Sequence, residues 1–62
     1  MYNYIGWYNK ARAYTLIGNS ERAIKNLKKA IKLNCEESRS FAITDPDFDS
    51  LRENKKFQLL LE

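Results

Sequence analysis

The sequence predicts an all-α fold, an antiparallel helical hairpin followed by two or three short helices, and three observations carry that prediction. Apolar residues recur three and four apart through two long segments, the spacing of one face of a helix. The link between those segments, around Gly18, is only two or three residues long, which forces consecutive helices to fold back on each other. No segment alternates apolar and polar residues as a half-buried strand would.

The first helix is expected from Tyr4 to Ile17, where Tyr4, Trp7, Ala11, Tyr14 and Ile17 form one stripe. Gly18 supplies the residue that takes positive φ beyond a helix end. Asn19 and Ser20 follow as candidate caps, with Glu21 placed at the positive end of the next helix. That second helix runs from about Ser20 to Leu33. Ala23, Ile24, Leu27, Ala30, Ile31 and Leu33 make its apolar stripe, and Arg22, Lys25, Lys28, Lys29 and Lys32 lie largely off it. Beyond Asn34 the periodicity weakens. Glu36 to Ile43 has room for two turns carrying Phe41 and Ala42, stopped by Thr44 and Asp45. Pro46 suits the first position of a new short helix capped by Asp45, with Phe48 and Leu51 apolar. Asn54 can cap a last helix whose Phe57, Leu60 and Leu61 face inward.

Composition narrows the function. Sixty-two residues, 44% hydrophobic and 31% charged, suit one small globular domain, divided as a hairpin over residues 1–34 and a short-helix segment over 35–62 packed on it. A core of that size only narrowly offsets chain entropy without staples, so association is the default expectation. No run of roughly 18 apolar residues exists to span a membrane. The opening MYNYIGWYNK lacks the pattern of a secretion signal, and the single Cys35 cannot close an internal disulfide; both point to the cytoplasm. With no histidine, the usual zinc and acid–base chemistry loses its commonest residue. The chain is therefore expected to be no enzyme and to need no cofactor or metal.

A helical hairpin of this length is also a unit from which solenoids are built. Trp7, Lys10, Ala11 and Tyr14, then Ala23 and Leu27, then Cys35 keep the spacing W-x2-L-G-x2-Y, A-x3-F and P. With Ala30 and the Gly18–Asn19 turn, this pattern resembles the tetratricopeptide repeat family. Ala11 and Ala23 would let the two helices approach, while Trp7, Tyr14 and Leu27 fill the seam. Lys10 replaces the usual leucine and Cys35 the usual proline, departures that bear on how another standard repeat would stack. Asp45-Pro46-Asp47-Phe48-Asp49-Ser50-Leu51-Arg52, followed by Phe57, Leu60 and Leu61, resembles the segment closing such arrays in many bacterial proteins. A further repeat would begin at Phe41 but meets Asp45 where its small residue should stand, so the repeat is begun and then abandoned, as a cap would be.

The resemblance implies protein–protein interaction. It makes Tyr8, Arg12 and Thr15, with Tyr4, candidates to contact a peptide, because exposed residues of the first helix line the concave groove of such arrays. One hairpin leaves a stacking face uncovered, and the side carrying Tyr2, Tyr4, Ile5 and Tyr8 is the expected place for self-association, as a two-fold dimer, or for neighbouring repeats. The alternative is a small basic nucleic-acid binder using the face Arg22, Lys25, Lys29 and Lys32; a net charge of +3 is slight, and a solvated outer face is the simpler reading. Asp45, Asp47 and Asp49 alternate as a calcium loop begins, but Ser50 and Lys56 stand where its glycine and glutamate belong. Cys35 has no histidine to activate it, which leaves it as filler at a turn.

Overall fold

Each α-helix opens on an asparagine whose side-chain oxygen takes up backbone N–H groups that a helix start leaves free. In the computed structural model, which describes residues 3–62, Asn3 accepts from the Ile5 amide at 2.9 Å and begins α1, Tyr4–Leu16. Tyr2, expected on the self-association face, lies outside the described residues. Asn19 accepts from Arg22 and begins α2, Ser20–Leu33; Asn34 accepts from Glu37 and begins α3, Cys35–Thr44. Asp45 takes the same part for a 3₁₀ helix, Pro46–Leu51, and Asn54 for α4, Lys55–Leu60. Among the described residues there is no strand.

The reversal after α1 rests on Gly18 at φ +85°. Its amide bonds the Thr15 carbonyl at 3.1 Å and the Asn19 amide bonds that of Tyr14 at 2.9 Å, the paired bonds of a glycine-closed helix end. A side chain at this φ would crowd its own carbonyl, so glycine is needed here.

The hairpin α1–α2 forms the largest interface, and small residues let it close: Ala11, Ala23 and Ala30 have no exposed surface, and Leu27 fills the space beside them. The tail then folds back on it. α3 packs on α2, where the fully buried Ser38 donates from Oγ to the Ala30 carbonyl at 3.1 Å. The 3₁₀ helix packs on α1 and α4 on α2. Phe48 is the keystone of that closure, with the Tyr8 and Phe57 rings each 5.6 Å away. Arg52 clips the end of α3, donating to the carbonyls of Ala42 at 2.7 Å and Asp45 at 2.8 Å with its guanidinium over the Phe57 ring. Arg39 ties α3 to α4 through the Leu60 carbonyl.

One expectation about α1 is corrected. Of the stripe Tyr4, Trp7, Ala11, Tyr14, Ile17 only Ala11 is buried: Tyr4, Trp7 and Tyr14 are half-buried, and Ile17 is 74% exposed. The buried residues of α1 are Tyr8, Ala11 and Thr15. The reason is the tail, which covers the side of α1 that a bare hairpin would leave to solvent, while Trp7 and Tyr14 meet the exposed side chains of Lys29 and Arg22 on α2.

Candidate partner-binding surface

Tyr4, Tyr8 and Arg12 stand four apart on α1, so one turn of helix separates each from the next along one row. All three polar ends cross to an acid on the tail. The Tyr4 hydroxyl donates to Glu37 at the start of α3. The Tyr8 hydroxyl donates to Asp45 at 2.8 Å. Arg12 donates from Nε to Asp47 at 2.9 Å, lies as close to it through Nη2, and passes Asp45 at 3.5 Å. Asp45 thus serves two purposes, capping the 3₁₀ helix with one oxygen and receiving Tyr8 with the other.

These pairings set the charge states. Burial first, and then the hydrogen bond to Asp45, hold the Tyr8 hydroxyl well above the ordinary tyrosine range, so it remains a donor. The bond to Glu37 raises Tyr4 in the same direction, and the bond to Asp47 raises Arg12. A hydroxyl held so firmly protonated is a poor acid–base catalyst near neutral pH. What the row does is fix the turn 45–47 against α1.

Of the four side chains expected to meet a partner, Tyr8 and Thr15 are 6% and 5% exposed and offer one almost no surface. Thr15 turns its hydroxyl back to the Ala11 carbonyl at 2.8 Å. Tyr4 and Arg12 are partly exposed, Arg12 with its side chain already paired to aspartates. The acidic turn lies against the flank of α1 that carries Tyr8 and Arg12. The three aspartates are likewise engaged by the protein itself, Asp45 by Tyr8, Asp47 by Arg12 and Asp49 by Arg52 at 3.5 Å.

Beside this row a cleft of about 450 Å³ opens between α1 and the tail. Ile5 and Phe41 stand on it at 48% and 50% exposure; Tyr4, Tyr8, Thr44 and Pro46 add to a mostly apolar lining, which also includes Asn9, Arg12 and Asp45. Phe41 packs edge-on to Tyr8, their centroids 6.1 Å apart. The pairing of Ile5 with Phe41 was not legible in the chain, because they lie on different helices and neither belongs to a buried stripe. Ser38 and Arg52 also escaped sequence reasoning. Nothing in the pattern marks a serine as core, whereas an arginine just past a Pro-containing acidic turn is a usable signal for a group that binds free helix-end carbonyls.

The remaining residues of the repeat pattern keep packing tasks: Ala11, Ala23, Leu27 and Ala30 in the core, Gly18 in the turn, Trp7 and Tyr14 at the outer edge of the α1–α2 seam. The basic face of α2 lies along that edge, where Arg22 and Lys29 cover Tyr14 and Trp7. Cys35 is exposed with a free thiol.

A model of the tetratricopeptide repeat family matches residues 4–34, half of the chain and the whole of α1 and α2. No curated protein and no solved structure matches the sequence.

Proposed function

Since the chain belongs to the tetratricopeptide repeat family, we propose that it is a non-catalytic protein–protein interaction module whose first partner is a second copy of itself. The observation that carries this reading is the placement of Ile5 and Phe41, two large apolar side chains, each half exposed, on one cleft. Grouped apolar surface of that kind is a common mark of an interface, whereas isolated exposed residues are ordinary. A two-fold pair would set Ile5 of each protomer into the other's cleft, the self-complementary arrangement that closed dimers use. Tyr4 supplies the aromatic rim, and its bond to Glu37 reduces the ordering cost on binding. Tyr8 and Arg12 line the cleft and hold the turn that forms its far wall, and Thr15 has no part. The tail from residue 35 onward acts as the cap of the repeat. A free exposed thiol at Cys35 supports a reducing compartment, the cytoplasm.

Sedimentation velocity over a concentration series tests the reading. The wild-type chain is expected to shift from monomer to dimer, and Ile5→Glu to stay monomeric with unchanged helical circular dichroism. A chain that remains monomeric at high micromolar concentration, or an Ile5→Glu variant that dimerises equally well, would refute it.

A further inference from the structure

Along the edge of α1 that carries Trp7 and Tyr14, α1 and α2 form a second groove, of about 560 Å³, with a different chemistry. Its aromatic lining is Trp7 and Tyr14, and its cationic lining is Arg22, Lys25 and Lys29, against a single acid, Glu21, among the described lining residues. The cations lie over the rings: Lys29 Nζ is 5.3 Å from the Trp7 centroid, Lys10 Nζ 4.9 Å from the same ring, and the Arg22 guanidinium 5.9 Å from that of Tyr14. Apolar ring surface and concentrated positive charge therefore share one long depression.

We propose that this groove docks an acid-flanked amphipathic helix of a partner protein, with apolar residues against Trp7 and Tyr14 and carboxylates against Lys10, Lys29 and Arg22. The inference rests on the protein-binding reading above but concerns another face and another partner. Charge complementarity selects the occupant. An uncharged helix laid here would strip water from several ammonium groups and return nothing to them, which is costly; a helix bearing glutamates at its edges pairs with those same groups. Lys10 sharpens the choice, because it stands where the repeat pattern has leucine and so puts a charge where an ordinary repeat would bring an apolar contact. The shape suits a helix, since the furrow between two packed helices receives the ridge of a third. Aromatic anchors beside arginine are the residues that dominate such contacts. Cations beside aromatic rings also suit single-stranded nucleic acid, which an oligonucleotide probe tests against the helix.

Trp7 is the chain's one tryptophan, so its emission reports directly on the groove. The probes are a synthetic helical peptide with leucines at helical spacing flanked by glutamates, the same peptide with lysines in place of the glutamates, and a thymidine oligonucleotide. The glutamate peptide is expected to shift Trp7 emission saturably and the lysine peptide to fail. Lys10→Glu combined with Lys29→Glu is expected to weaken binding by at least about tenfold, while Lys28→Glu with Lys32→Glu, matched in charge but outside the groove, costs no more than about threefold. All four lysines are exposed, so circular dichroism is expected to show both double variants folded. The proposal is overturned if the glutamate peptide gives no saturable shift, if the lysine peptide binds equally well, if both double variants lose affinity equally, or if the oligonucleotide binds more tightly than the glutamate peptide. None of these results touches the dimer cleft, whose own test reads sedimentation of the chain alone.

Discussion

Replacing Phe48 with alanine asks whether the tail is part of the fold or an attachment to it. Phe48 has no exposed surface and meets Tyr8 of α1 edge-on at 73° and Phe57 of α4 at 34°. Removing the ring forfeits about 2 kcal/mol of apolar burial. The cavity left behind brings the expected loss to about 3–5 kcal/mol, the usual range for a buried phenylalanine. A folded chain of this length has roughly 3–9 kcal/mol of stability in all, at about 0.05–0.15 kcal/mol per residue. Phe48→Ala is therefore expected to sit at or beyond the edge of unfolding, with Phe48→Leu retaining a folded population. The assay is urea denaturation followed by far-ultraviolet circular dichroism and by Trp7 emission. The wild-type chain should give one coincident transition by both probes, since Phe48 joins the tail to the hairpin that carries Trp7. A loss below about 1 kcal/mol in Phe48→Ala, or a variant that loses helicity while the Trp7 transition stays in place, would refute the claim that tail and hairpin share one core.

Two further outcomes follow from the same contacts. The Tyr8 contribution to stability is expected to be constant below the ordinary tyrosine value of 10.0 and to fall above it, because the unfolded chain releases the Tyr8 proton there while the folded chain still holds it; Tyr8→Phe should make that alkaline slope shallower in pH-dependent urea titrations. Arg52→Lys keeps the charge but not the two-pronged reach to the Ala42 and Asp45 carbonyls, so a loss of about 1–3 kcal/mol is expected in thermal denaturation, and an unchanged midpoint would contradict the clip.

The helix starts show how far local chemistry could be read. Asn19, Asp45 and Asn54 were recognisable as caps because each precedes a new apolar pattern or a proline, and each accepts the amide hydrogen bonds its position calls for. Asn3 and Asn34 do the same, but Asn34 follows α2 with no intervening turn, so nothing in the composition separated it from that helix. Phe48, Leu51 and Phe57 were legible as inward residues because a short helix has few apolar groups to bury. Ser38 was not, since its burial depends on a carbonyl eight residues away.

The sequence by itself determined the two hairpin helices, a tail of two or three short helices, the hairpin turn at Gly18 and the kinship with a repeat family, because capping, glycine conformation and helical periodicity act within a few residues of chain. Tertiary structure alone decided which side of α1 became interior. Spacing on one helix is satisfied equally well by two adjacent faces, and the choice fell to the tail, whose aspartates draw Tyr8 and Arg12 toward it and leave Trp7 beneath a layer of lysines. Those pairs join residues more than thirty positions apart, a separation over which no local pattern carries information.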